Sequence, residues 1–151
     1  MSASTFFLRM ATPGEAVSFV EEVRWNGLPE CPYCPSKRVS RHQSADRAIP
    51  RWQCMVCNKA FSVTVHTPMH KTKIDLRSWL AIAAYTIQPP SRPLSVRAMT
   101  YRVHLSRPAT VHEIQRRVRQ TVLQNGSEAQ LLEKLIYVAG KRHDQHAFLR
   151  G

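Results

Sequence analysis

Apolar residues recur at helical spacing in several stretches of the chain. Thr12 to Glu15 has the form of a capping box, and the apolar residues after it predict an N-terminal helix. Asp75 and Ser95 can each cap a further helix, and another is expected from Pro108 or Thr110 toward Gln124. The apolar faces are Ala16, Val20 and Val23; Leu76, Trp79, Leu80 and Ala83; Val96 and Met99; and Val111, Ile114, Val118 and Val122. A tight turn near residues 104–107 makes the last helices typical of a helix-turn-helix.

The middle of the chain has a different pattern, with short runs of alternating or β-branched residues that predict strands. These runs are 38–42, 51–53 and 60–65. All four cysteines lie around them in two C-x2-C pairs, Cys31 with Cys34 and Cys54 with Cys57, separated by 19 residues. Two such pairs can close a tetrahedral four-thiolate site with no open position. We therefore expect a zinc ribbon whose folding depends on Zn²⁺.

Other interpretations of the cysteines are weaker. Disulfides are disfavoured in a reducing cytosol, and a redox C-x-x-C motif has no use for a second matching pair. His66 and His70 are expected to be solvated turn residues, because four thiolates already complete the coordination of the ion. Trp52 and Phe61 are expected to form a small apolar floor under the ribbon, although either ring could stack on a base if it is exposed.

These patterns together predict an α+β chain with a small N-terminal helix, a four-cysteine zinc ribbon and a three-helix helix-turn-helix bundle. The expected segments are residues 1–28, 29–70, 71–124 and a tail at 125–151. The tail can be an ordinary amphipathic helix, with apolar residues at 131, 132, 135 and 136, or a remnant of the start of a catalytic domain.

Charge narrows the choice of partners. The chain has 22 Lys and Arg against 10 Asp and Glu, a formal net charge of +12. The excess lies in residues 31–75, with eight basic and two acidic residues, and in residues 92–119, with seven arginines and one glutamate. Such blocks favour nucleic acid. The uncharged stretch 79–91 is shorter than the ~18–20 residues of a membrane span, and no export signal is evident. We expect a cytoplasmic, nucleoid-associated protein without membrane contact.

Two groups of side chains are candidate contacts to duplex DNA. The polar side of the helix after Pro108 has arginines that can bond guanine, a glutamine suited to adenine and a glutamate suited to cytosine. Basic ribbon residues are expected to hold phosphates. The first group is His112, Glu113, Arg116, Arg117, Arg119 and Gln120, and the second is Lys37, Arg38, Arg41 and Arg51. The alternative is an ordinary basic amphipathic helix in a bundle.

The order of these parts resembles the N-terminal part of the zinc-ribbon transposases of bacterial insertion sequences, over roughly residues 12 to 142. The similar stretches are 22–27 leading into the first cysteine pair, 52–64, and 94–119. The resemblance implies that the ribbon and the helix-turn-helix hold the ends of an element. His104 stands where the family usually has a turn glycine, and one extra residue lies between Ser106 and Thr110.

The tail departs from the family at the start of its RNase H-like catalytic domain. There the family has a segment resembling V-D-E-T-Y-x-G-G-K, whose aspartate is the first metal-binding carboxylate. Residues 137–142 resemble the end of that segment, but Lys134 and Leu135 replace the aspartate and glutamate. Lysine does not coordinate the Mg²⁺ ions that such phosphoryl transfer uses. We therefore assign no catalytic residue and expect a protein that is not an enzyme.

Three functions remain open at this point. The leading hypothesis is a zinc-dependent DNA-binding protein, a truncated or domesticated transposase relative that binds element ends or acts as a regulator. The second is the DNA-binding fragment of a transposase whose catalytic domain is supplied by another polypeptide. The third is a zinc-ribbon module that binds a protein. A homo-oligomer or a complex with a transposase is compatible with the first two.

Overall fold

The computed structural model describes Met10, residues 12–42 and residues 49–150. From residue 140 onward the description is confined to the helical backbone, so the side chains at 140–142 of the family-like tail motif lie outside it. The described chain is α+β, as predicted. In chain order its elements are α1 (Pro13–Trp25), β1 (Val39–Arg41), β2 (Trp52–Cys54), β3 (Ala60–Phe61), α2 (Leu76–Ile87), α3 (Val96–Arg102), α4 (Pro108–Gln124) and α5 (Ser127–Arg150).

The predicted capping residues start three of the helices. The side-chain oxygens of Thr12, Asp75 and Ser95 each accept a first-turn backbone N–H, at 3.2, 2.8 and 3.1 Å. Asn26 and Asn125 end α1 and α4 in the left-handed conformation, with φ of 50° and 48°. Asparagine tolerates that conformation better than most residues, so these helix ends follow from local sequence.

The three strands form one antiparallel sheet in the order β1-β2-β3. Val39 pairs with Cys54, and Trp52 pairs with Arg41 on one side and Phe61 on the other. This register places a cysteine of the second pair in the central strand. Because Cys54 belongs to this strand, the position of the sheet fixes the position of the second cysteine pair.

The third strand is shorter than the sequence pattern predicts. The β-branched run continues to residue 65, but pairing stops at Phe61 and a series of turns follows to residue 71. Arg24 of α1 donates to the carbonyls of Val63 and Val65, at 2.5 and 2.6 Å. Val63, Thr64 and Val65 are all buried, so this stretch lacks the alternation of a half-exposed strand. Contact with α1 thus overrides local strand preference.

One hydrophobic core is shared by all five helices that the structure describes. Trp79, Leu80 and Ile82 of α2 lie at its centre, fully buried against residues such as Val20 of α1 and Leu132 of α5. The N-terminal helix and the tail helix therefore pack on the same core as α2, α3 and α4. A second and smaller cluster lies in the ribbon and consists of Cys31, Cys54, Phe61 and Val65.

The turn between α3 and α4 is fixed by a hydrogen bond from α2 and by a left-handed residue. The buried Ser78 hydroxyl of α2 donates to the Val103 carbonyl at 2.7 Å. His104 has a φ of 57°, the left-handed conformation in which glycine is common. The chain thus makes a tight turn here with histidine in place of glycine. Helix α4 then packs along α2 and across α3, with Val111, Ile114 and Val118 buried.

Candidate metal centre and nucleic-acid interface

The four cysteines converge at one point at the end of the sheet. Their Sγ atoms all lie within 4.8 Å of one another. Cys31 and Cys57 are 3.6 Å apart, and Cys34 and Cys54 are 3.5 Å apart. A tetrahedral ion with Zn–S bonds of about 2.3 Å would separate its sulfurs by about 3.8 Å. The cluster therefore has the dimensions of a four-thiolate zinc site.

The two C-x2-C turns have matching backbone bonds. The N–H of Cys31 donates to the carbonyl five residues on, Ser36, at 2.9 Å, and Cys54 does the same to Lys59 at 3.0 Å. The N–H of the residue two after each first cysteine points at its sulfur, at 3.4 Å in both turns. These N–H donors stabilise negative charge on sulfur. Each turn is thus shaped by its own backbone to present two thiolates.

Ionisation is uneven among the thiols. The backbone N–H of Cys57, assisted by that of Val56, lowers the pKa of Cys54 to about 6. At Cys34 a backbone hydrogen bond from Ser36 favours the thiolate, but burial and the neighbouring thiols outweigh it and raise the pKa to about 12. Close thiols compete because each negative charge disfavours the next. A divalent cation would remove this competition, since coordinated thiols are deprotonated.

An aromatic cluster connects the ribbon to α1. Trp25 of α1 meets Trp52 and Phe61 edge to face, with centroid distances of 5.8 and 6.0 Å. Phe61 is fully buried and Trp52 is half-buried. Both residues therefore form an apolar floor, and the floor extends to Trp25, which the sequence pattern did not single out for this role.

The predicted phosphate contacts of the ribbon lie partly beside the acidic face of α1. The guanidinium of Arg41 lies 5.9 Å from the centre of the Trp52 ring. Burial raises the pKa of the nearby Glu21 carboxyl, against opposing effects of the Arg41 charge and the Trp52 indole. Lys37 lines a cleft of about 410 Å³ that Glu21 also borders. Arg38 is exposed and Arg51 is half-buried. DNA contact by these four residues stays a prediction.

The six predicted contact residues of α4 are all exposed. They lie opposite the buried apolar side of the helix. Glu113 pairs with Arg116 at 2.7 Å and with Arg117 at 3.2 Å, and Arg116 also donates to the side-chain amide oxygen Oε1 of Gln120 at 3.2 Å. The hydrogen bond from Arg116 is the main reason why the pKa of Glu113 is lowered. Exposed ion pairs are weak, so an incoming anion can displace them.

The segment after the ribbon places further basic side chains near the N-terminal half of α4. Lys71 lines a cleft with Arg107 and Arg117, and Glu113 borders the same space. His66 is exposed as predicted and meets the Tyr33 ring edge to face at 5.6 Å. Sequence reasoning missed Lys71 and Arg107. The run of histidines and lysines at 66–73 could have indicated Lys71, and the arginine-rich block 92–119 includes Arg107.

Comparison with known proteins finds no matching family model, no matching curated protein and no matching solved structure. In the part of the chain that the structure describes, no helix is both long enough and apolar enough to cross a membrane.

Proposed function

We propose that the protein is a zinc-dependent binder of duplex DNA, related to the zinc-ribbon transposases and acting at element ends or as a regulator. The observation that carries this proposal is the surface of α4. Arg116, Arg117 and Gln120 are exposed on a helix whose opposite side is buried in the core. A helix held in this way can enter a major groove without losing its packing. We infer that α3 and α4 act as a helix-turn-helix.

Zinc has a structural role in this proposal. Four thiolates leave no open coordination position for a substrate or for water. The ion would hold the ribbon in the conformation that presents its basic residues. We assign it no catalytic role.

The two parts would divide the work of recognition. Exposed ribbon residues such as Lys37 and Arg38 would neutralise phosphates, while Arg116 and Arg117 would bond base edges. Engagement of about five phosphates would give a slope of log affinity against log salt of about −4.5. A slope near zero would contradict the proposal.

The test is a selection of zinc-loaded protein against a random duplex DNA pool at moderately high salt, followed by sequencing. One enriched motif is expected. Arg116→Ala with Arg117→Ala should abolish the enrichment. As a matched control, Arg97→Ala with Arg102→Ala removes two exposed arginines from α3. That control should weaken binding to all sequences but keep the motif, because α3 would face the backbone. Retention of DNA without any motif would refute base reading by α4.

A second candidate is supported by the tip of the second cysteine turn. Met55 and Val56 are 62% and 59% exposed there. Exposed apolar residues on a rigid turn are suited to a protein partner. Copurification of a defined protein that survives nuclease treatment and is lost in a Met55→Ser, Val56→Ser variant would favour this function over DNA binding.

A further inference from the structure

A concave basic surface lies between the segment that follows the ribbon and the N-terminal half of α4. It is a cleft of about 300 Å³ between residues 71–74 and the first half of α4. Its polar lining includes Lys71, Thr72, Arg107, Thr110 and Arg117. Ile74, Trp79 and Ile114 form the apolar part of its wall. The cleft therefore combines an apolar base with several hydrogen-bond donors.

Most of the positive charge in this cleft is uncompensated. Among the described residues, Glu113 is the one carboxylate that borders it, and that carboxylate is already shared between Arg116 and Arg117. Among the residues that the structure describes, neither Lys71 nor Arg107 has an ion-pair partner. Cations gathered without a counter-charge repel each other, and a bound anion would relieve that repulsion.

The basic surface continues from the cleft toward the cysteine turns. His70 is exposed and lies between His66 and Lys71 in the chain. Partial burial first, and then the charges of Lys71, His66 and Arg117, lower its pKa. His66 in turn contacts Tyr33 in the first cysteine turn, and the Lys59 ammonium lies 5.0 Å from the centre of the Tyr33 ring. Residues 66–71 thus connect cations of the ribbon with cations of α4.

We propose that this cleft is a phosphodiester-binding site that carries the DNA backbone from the ribbon to α4. Lys71 and Arg107 bind the phosphate oxygens, and Thr72 and Thr110 lie within the same lining to donate further hydrogen bonds. The site rests on the proposed function and deepens it, because it makes the two basic blocks of the sequence one continuous track. One strand of the duplex would then contact both the ribbon and α4 along a continuous protein surface.

The test compares two double variants with the same change in net charge. Lys71→Gln with Arg107→Gln removes two cations from the cleft. Lys73→Gln with Arg92→Gln removes two exposed cations that do not line it. Zinc-loaded proteins are titrated with one fluorescent duplex of fixed sequence at several salt concentrations. Each lost phosphate contact should reduce the magnitude of the salt slope by about 0.9, so the cleft variant should lose nearly 2 and the control well under 1.

The outcomes separate this inference from the proposed function. If the unsubstituted protein binds with a slope near −4.5 and both double variants lose equal amounts, or neither loses any, the cleft site is refuted while DNA binding stands. If the unsubstituted protein does not bind, both are refuted. A second measurement follows backbone amide shifts of Lys71, Thr72 and Thr110 when the unsubstituted protein is titrated with a short duplex. Shifts confined to other regions would also overturn the cleft site.

Discussion

Removal of the metal should unfold the ribbon and leave the helical core folded. The described part of the chain has two apolar clusters, a large one shared by the helices and a small one beside the thiols, and Trp25 packs against both. The small cluster has Phe61 and Val65 as its buried side chains other than cysteine. The strands around it are only two or three residues long. Its stability therefore depends on what joins the two cysteine pairs.

The magnitudes favour the metal by a wide margin. Full burial of an apolar side chain contributes roughly 1.5–3 kcal/mol, so Phe61 and Val65 together supply about 3–6 kcal/mol. A structural Zn²⁺ on a small domain supplies about 10–16 kcal/mol at neutral pH. Without the ion the buried thiols also compete for ionisation. The helical core has no such dependence, because Trp79, Leu80, Ile82 and many other side chains are buried there.

The three tryptophans allow each part to be observed alone. Trp25 and Trp52 lie at the junction of α1 and the ribbon, whereas Trp79 is 1% exposed in the helical core. A Trp79→Phe variant therefore reports the ribbon, and a Trp25→Phe, Trp52→Phe variant reports the core. A chelator should shift the emission of the first variant to longer wavelength and leave that of the second unchanged. Most of the helical circular dichroism should remain.

Two controls complete the assay. Cys54→Ser should give the emission spectrum of the metal-free protein without any chelator. Added Zn²⁺ should restore the ribbon signal of the metal-free protein but not that of Cys54→Ser. If the core variant changes emission together with the ribbon variant, the protein is one cooperative unit and the reasoning is wrong. If neither variant responds, the metal is not structural.

Three further predictions concern single residues. Arg24→Met should lower the free energy of unfolding of the zinc-loaded protein by about 2–4 kcal/mol in denaturant titrations, because two carbonyls in the 63–65 turn lose a charged donor. An unchanged free energy of unfolding would show that water replaces the guanidinium. The pKa of His70 is lowered in the fold, mainly by burial, so the unfolded chain binds a proton first as pH falls. The free energy of unfolding should therefore decrease as pH drops below about 6.5, and His70→Gln should flatten this dependence. An equal pH profile in both proteins would contradict the prediction. Glu113→Gln frees Arg116 and Arg117 from their ion pairs and should tighten binding to random duplex several-fold in anisotropy titrations, because both cations become available to phosphates. It should also reduce discrimination between sequences, because Glu113 is a predicted base contact. Unchanged or weaker binding to random duplex would contradict this reasoning.

Local chemistry accounts for much of what could be predicted. Thr12, Asp75 and Ser95 cap helices where the pattern placed them, because an N-cap needs only a side-chain oxygen and the first turn that follows it. The thiol cluster was predictable for a similar reason. Each C-x2-C turn is built within six residues, and the spacing of the two turns is set by a simple hairpin sheet.

The third strand was wrong in length because its outcome depends on a distant residue. Val63 and Val65 have strand-forming side chains, but their carbonyls accept hydrogen bonds from Arg24, which is 39 and 41 residues away in the chain. The inclusion of α1 and α5 in the core of α2, α3 and α4 also depends on contacts between remote segments. Their periodicity predicted an apolar face but could not say which surface covers it.

The helix starts, the zinc-type cysteine spacing and the excess of positive charge could all be predicted from the sequence, since each depends on residue type and short spacing. Which charges lie side by side depends on how the helices pack. Lys71 is separated from Arg107 and Arg117 by more than thirty residues, yet the three line one cleft because α4 packs beside the segment that leaves the ribbon. Electrostatic fields act through space and not along the chain. For that reason basic residues from the two blocks come to line one cleft only through the packing of the helices.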